Sequence, residues 1–447
     1  MLKGNPVDSG QHDMFLERLD RMINMSHRLV TLAKIIRWDC LESAVSKYYC
    51  LNNGRPGGSI RLMMGLLILK DIEGQSDESV CERWVENPYW QYFCGEEFFK
   101  HQFPVTPESL SYFRKRIGEE GMECILAETI RLGLVTGVVK KRDIENITVD
   151  TTVQEKVVTF PTDSKLRHRA RKALVFLAKE YDVPLRQTYV RKSKNALFMA
   201  NRYSAARQMG RAKKEQRKIK TYLGCVIRNI EREIVKRPDV ASAFSKTLEK
   251  AKRALAQEQE SKDKMYSWHA PEVECIAKGK LHKKYEFGCK ASFASTNKSN
   301  FIVGAKAFHQ RPYDGKTLLT AIDQVKKLTG ITPKEAQVDQ GYKGHGVTET
   351  TVIIARQKRG VTRIIKKRQK RRNAIEPIIG HCKNDREIGP RNYLQHVLGD
   401  QINTLSMAIG FNLRKILNAI LLYLFYTEQK KQNYGGAYAR YSLSGVF

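Results

Sequence analysis

The chain has 447 residues, 41% of them hydrophobic, and a formal net charge of +32. That length and apolar content exclude a disordered basic tail and allow two or three domains with sizeable cores. The charge favours a polyanionic partner, with nucleic acid the first choice, and a ribosomal or RNA-binding protein fits the number equally well.

The first residues carry no apolar run of the kind a secretion signal needs, so a soluble, cytoplasmic protein with no membrane partner is expected. Nine cysteines occur as singles without zinc-ligand spacing and read as reduced core thiols.

Up to about residue 135 the apolar spacing is helical. "VTPESLSYFRKRI" offers Thr106 as N-cap, Pro107 at the first helical position and Glu108 at the positive dipole end. "GQSDESVCERW" offers Ser76 or Asp77 as a cap, and "GRPGGSIRLMMGLLILK" breaks at Pro56, Gly57 and Gly58 before a run that reads as a buried helix. Trp84 and Trp90 read as core.

At "DIENITVDTTVQE" the period changes to two. Ile147, Val149, Thr151 and Val153 fall on one face of a strand, with Thr148, Asp150 and Thr152 on the other. An acid in mid-strand is disfavoured and costly if buried alone, so Asp150 calls for a reason.

From residue 164 to 264 the pattern is helical and basic, with 28 Lys and Arg against 10 Asp and Glu, a net +18. Such an excess repels itself unless phosphates compensate it, so Arg211, Lys213 and Lys214 are expected to contact DNA. Trp268 and His269 follow, the former able to stack on a base.

The strand period returns in "KKYEFGCKASFAS" and "NFIVGAKAFHQ". A helix follows in "DGKTLLTAIDQVKKLTG", where Leu318, Leu319, Ile322, Val325 and Leu328 mark one face and Gly330 closes it. "EAQVDQGYKG" gives a short strand with Asp339 at its end, then a glycine-flanked turn whose Tyr342 and Lys343 are candidate DNA contacts. "TVIIAR" gives another strand, which leads into "KKRQKRRNAIEPIIGHCKND" and Glu376. The run "ILNAILLYLFY", Ile416 to Tyr426, is too short to cross a bilayer and reads as a packing helix.

With the basic helical stretch set aside, the element order is that of an α/β, ribonuclease H-like core: a mixed sheet with flanking helices, whose first and fourth strands lie side by side. Asp150 and Asp339 then become neighbours, and Glu376 arrives on a helix at the same end. Three converging carboxylates need a counter-charge. Oxygen ligands of this kind suit Mg²⁺ or Mn²⁺, and two such ions about 3.5 to 4 Å apart can drive in-line phosphodiester displacement.

"TVDTTVQEKVVTFPTD", "VDQGYKG" and "RRNAIEPIIGHCKND" resemble the three acidic motifs of the IS5 family of bacterial insertion-sequence transposases, members of the DDE superfamily. The stretch from Gly54 to Trp84, with "FRKRIG", resembles their helical N-terminal domain. The likeness implies Asp150, Asp339 and Glu376 as catalytic and metal-binding, with two Mg²⁺ or Mn²⁺ ions as cofactors. It also implies cleavage at element ends followed by joining of the freed 3′-hydroxyls to target DNA. Partners would be the terminal inverted repeats and the target, handled by a homodimer or higher synaptic assembly at the bacterial nucleoid. In a wider signature around the glutamate, Arg372 and Lys383 fit the spacing, while Gln369 stands where related enzymes have tyrosine. Pro377 means that the helix either kinks there or begins near Glu376.

The expected organisation is therefore a helical DNA-binding and dimerisation domain over 1–135, a catalytic core over 140–163 and 265–390, the insertion over 164–264 and a helical C-terminal segment over 391–447. Two other readings stay open: a metal-dependent nuclease of the same fold, and a non-catalytic DNA-binding protein derived from a transposase.

Overall fold

The computed structural model describes residues 17–50, 57–258, 260–277, 284–356, 361–384, 392 and 394–433. Pro56 of the predicted break and Asp385 at the end of the third acidic motif lie outside them. The chain forms two compact units, Met1–Glu155 with Cys289–Phe447, and Lys156–Gly288. The second unit is wider at both ends than the basic stretch marked by composition, and its core gathers Val183 and Met265 around the helices Asp163–Glu180, Met209–Lys236 and Ala241–Ala256.

Six strands make one sheet: β1 (Asn146–Glu155), β2 (Glu274–Ala277), β3 (Tyr285–Thr296), β4 (Ile302–Phe308), β5 (Glu335–Val338) and β6 (Thr351–Ile354). Their order is β2-β3-β1-β5-β6, with β4 also paired to β3. β2, which the periodicity does not reveal, pairs antiparallel with the first residues of β3, and β4 pairs antiparallel with the rest. β1 and β5, and β5 and β6, run parallel.

β1 is buried on both faces over Ile147, Thr148 and Val149 and again over Thr152, Val153 and Gln154. The simple alternation read from the sequence therefore fails, as is usual for a central strand covered on both sides. The helix Asp314–Thr329 ends on Gly330 in the left-handed region (φ 70°) and buries Leu318, Ile322 and Val325. Leu319, placed on the same face from the sequence, is 50% exposed.

The N-terminal part is helical. Ser59 caps Ile60–Glu73 by accepting from Leu62 N, and Ser76 caps Asp77–Glu86 by accepting from Ser79 N. The helix predicted at Pro107 starts one residue later, at Glu108, and Gly118 (φ 60°) kinks it. Trp84 and Trp90 are core residues, as are Cys81, Cys94, Cys289 and Cys382. Cys40 and Cys50 are exposed, so the expectation of core thiols fails for that pair.

The apolar run Ile416–Tyr426 sits inside one long helix, His396–Asn433. By length and composition this helix could cross a membrane, a property the short run alone does not show. Ile402, Leu405, Ile409, Leu413, Ile416 and Ile420 from it join the main core. It crosses Ile60–Glu73 closely, and Arg414 Nη1 donates to the Asp71 carbonyl at 3.1 Å.

Asp71 is buried in that crossing, and burial pushes its carboxyl from 3.8 up to about 7 against the pull of Lys70, Ser406, Arg114 and Arg414. A carboxyl raised on folding contributes stability that is complete below its unfolded value and is lost as pH rises through the folded one. Lys70, lowered to about 8 by burial and Arg114, adds its own slope only above that window. Unfolding free energy should therefore fall between pH 5 and 7.5 by on the order of 2 kcal/mol relative to Asp71→Asn. Denaturant titrations of both proteins across that range check this, and parallel curves would refute it.

Candidate active site

The register of β1 and β5 pairs Ile147 with Ala336 and Thr148 with Gln337. Carried two residues further, it sets Asp150 opposite Asp339 where β5 ends. There the Asp339 side chain accepts from Gln340 N at 2.7 Å and opens the short turn Gln340–Tyr342. Asp150 Oδ1 in turn accepts from Thr151 N at 2.8 Å. Adjacent parallel strands thus bring together two acids far apart in the chain.

Glu376 arrives on a helix that changes pitch. Arg363–Arg371 is α-helical, Arg372–Ala374 tightens to a 3₁₀ turn, and Ile375–Asn384 is α-helical again with Pro377 in its first turn. The last segment packs through Ile375, Ile378, Ile379 and Cys382, which leaves Glu376 facing outward. A proline is tolerated early in a helix because the amide it lacks has no intrahelical partner there.

Arg372 ties the three acids together. Its Nη2 donates to Asp150 Oδ2 at 3.2 Å and lies 3.7 Å from Glu376 Oε1, while its Nη1 lies 3.7 Å from Asp339 Oδ1. The side chains are graded in exposure, Asp150 at 16%, Asp339 at 49% and Glu376 at 64%, so the cluster opens to solvent on one side. Burial holds the Asp150 carboxyl above its ordinary value despite the Arg372 charge and the Thr151 amide, and Asp339 adds to the rise. A cation is the natural relief for such a group.

A fourth acid escapes sequence reasoning. Asp314, at the start of its helix, accepts from Thr151 Oγ1 at 2.9 Å and from Lys290 Nζ at 2.8 Å. Its only signal in the sequence is that of a helix start, so nothing there ties it to the other acids.

Other predicted site residues fall differently. Tyr342 is 1% exposed, which corrects its reading as a DNA contact: the turn after Asp339 folds its ring into the core, where burial and the Asp150 and Asp314 charges push its hydroxyl well above the ordinary value. Lys343, the next residue, is exposed. Lys383 is half-buried in the last turn of the Glu376 helix. Gln369 Nε2 donates to the Ile354 carbonyl at 3.1 Å, which fastens its helix to the end of β6. Of the run of cations, Arg368 pairs with Glu335 and Arg371 Nε donates to the Asn297 carbonyl at 2.9 Å, so these two are engaged within the protein. Arg211, Lys213 and Lys214 belong to the second unit and are exposed on the helix Met209–Lys236. In that unit too, Lys250 Nζ sits 4.7 Å from the centre of the Trp268 ring.

Asp150, Asp339 and Glu376 gathered on Arg372 at the end of parallel strands, with Asp314 beside Thr151, make this the candidate active site. A family model described as "Transposase domain (DUF772)" matches residues 17–116, the helical N-terminal part. The chain is also similar to "Uncharacterized protein ORF8 in nfe locus" of Rhizobium meliloti, 46% identical over 200 residues that make up 45% of this chain and 96% of that protein. No solved structure matches the chain. The chain belongs to a transposase-related family.

Proposed function

We propose that the protein is a DDE transposase of the IS5 type, with a ribonuclease H-like core, that cleaves the ends of an insertion sequence and joins the freed 3′-hydroxyls to target DNA. The observation that carries this reading is the meeting of Asp150, Asp339 and Glu376 on Arg372 at the end of adjacent parallel strands. The donor set is of the kind Mg²⁺ or Mn²⁺ takes: three hard carboxylates converge on the Arg372 guanidinium, which stands where a metal cation would balance them. Bound there, such ions would activate a water or 3′-hydroxyl and stabilise the leaving oxygen.

The chain's own groups have separable parts in this. Asp150, fixed in the strand, and Asp339, fixed at the turn, set the rigid side of the site, and Glu376 closes it from the helix. Arg372 balances the acids, and would be available to a phosphate if metal held them instead. Thr151, Asp314 and Lys290 hold the floor beneath Asp150. The protein acts in the cytoplasm as a homodimer or higher assembly, since two element ends must be cut and joined together.

Incubation of the protein with Mg²⁺, DNA carrying its element ends and a target plasmid tests the reading. The expected result is nicking at the ends and a covalently joined product. Cleavage without joining would favour a nuclease, and binding without cleavage a non-catalytic regulator. The basic unit makes a second prediction: changing Arg211, Lys213 and Lys214 together to Gln should flatten the dependence of log affinity on log salt by up to roughly 3. An unchanged slope in a salt titration would remove those residues from the DNA interface.

A further inference from the structure

A second cluster of ligating side chains lies apart from the four acids. Cys289 on β3, His309 just after β4 and Asp400 on the helix His396–Asn433 each place one donor atom within 4.8 Å of the other two. We propose that these three residues form a zinc-type transition-metal site that ties β3, β4 and that helix together.

The donor chemistry selects the metal. A thiol, an imidazole and a carboxylate suit Zn²⁺ better than a hard ion such as Mg²⁺, which prefers an all-oxygen shell. With metal–ligand bonds of about 2.0–2.3 Å, tetrahedral geometry sets nitrogen and oxygen donors about 3.4 Å apart and sulfur about 3.6 Å from either. His309 Nε2 and Asp400 Oδ2 already lie 3.4 Å apart, and the Cys289 sulfur is within 4.8 Å of a donor atom on each. Asp400 is 1% exposed, so a metal held there would be shielded from solvent.

The surroundings are those of a supported ligand set. Asn392 Nδ2 donates to Asp400 Oδ1 at 3.0 Å and leaves Oδ2 directed at His309. Gln154 is buried against the cysteine: its Oε1 accepts from Cys289 Sγ at 3.8 Å and from the Thr404 hydroxyl, while its Nε2 has no partner among the described residues. Rotating that amide by half a turn presents Nε2 to the sulfur as a donor, which is what a metal-bound thiolate accepts. Zinc uptake would release the thiol proton to solvent and leave a Zn–S bond.

The proposal is independent of the transposase chemistry, and its test is metal binding by the full chain. Titration of the wild type with Co²⁺ under reducing conditions should give the visible band of a cobalt thiolate, saturating at one equivalent and bleached by Zn²⁺. The band should persist in the Asp150→Asn/Glu376→Gln double variant, and fall at least tenfold in Cys289→Ser and in His309→Ala, with the other eight cysteines intact. Absence of the band in the wild type would overturn the proposal without reliance on any variant. So would an undiminished band in Cys289→Ser, which would assign the signal to another cysteine.

Discussion

Replacing Asp150 with Asn should reduce metal-dependent cleavage at the element ends by about 10³-fold or more, while DNA binding and the melting temperature stay close to wild type. The loss follows from position. Asp150 is the most buried member of the triad, the one held by strand geometry, and it faces both Asp339 and Arg372. Removing a carboxylate that fixes a catalytic cation forfeits several kcal/mol of transition-state stabilisation. Folding should tolerate the change, because burial already disfavours the Asp150 charge and Asn keeps its shape. Gel assays for cleavage and binding, with a thermal melt, separate the outcomes: equal cleavage would remove Asp150 from catalysis, and joint loss of cleavage and binding would indicate a folding defect.

Gly410→Ala should be a strongly damaging single methyl. A Cβ there would lie 2.3 Å from the Asp71 carbonyl oxygen and 3.1 Å from Arg414 Nη1, at the crossing of two long helices. The obstacle is backbone in a buried helix, so relief requires the helices to move apart and their packing to loosen. We expect a loss of about 3 kcal/mol or more and a fall in melting temperature of roughly 5 °C or more. Leu422→Ala on the same helix, where the side chain is 69% exposed, should change little. Equal melting of Gly410→Ala and wild type would contradict the close crossing.

Asp150 and Gly410 differ in how plainly the sequence marks them. Asp150 stands out in the chain itself, because an acid in a β-branched strand is a local conflict that asks for an explanation. The strand order follows from the sequence of elements, and it suffices to bring Asp150 beside Asp339. Gly410 has no such mark: its role depends on which helix crosses it, a long-range fact that composition does not encode. Asp314 is hidden for the same reason, since at the start of a helix an acid already has a local use.

Tyr342 shows the opposite error. A tyrosine followed by a lysine in a glycine-flanked turn looks exposed, yet the turn folds back and buries the ring under the site. Arg372 was legible as a member of the site from its spacing to Glu376. That it bridges all three acids depends on the 3₁₀ step before Ile375, which Pro377 signals only as a disturbance. β2 was invisible because none of its four residues is fully buried, so its sequence shows no apolar alternation.

The most direct test of the central claim is metal binding at the acids themselves, without DNA. Mn²⁺ bound to the full chain can be counted by electron paramagnetic resonance of the remaining free ion, with wild type compared against Asp150→Asn, Asp339→Asn and Glu376→Gln. The account predicts saturable Mn²⁺ binding, displaced by Mg²⁺, that each substitution weakens at least tenfold and that Cys289→Ser leaves intact. Mn²⁺ binding that is equal in the wild type and all three variants would contradict it.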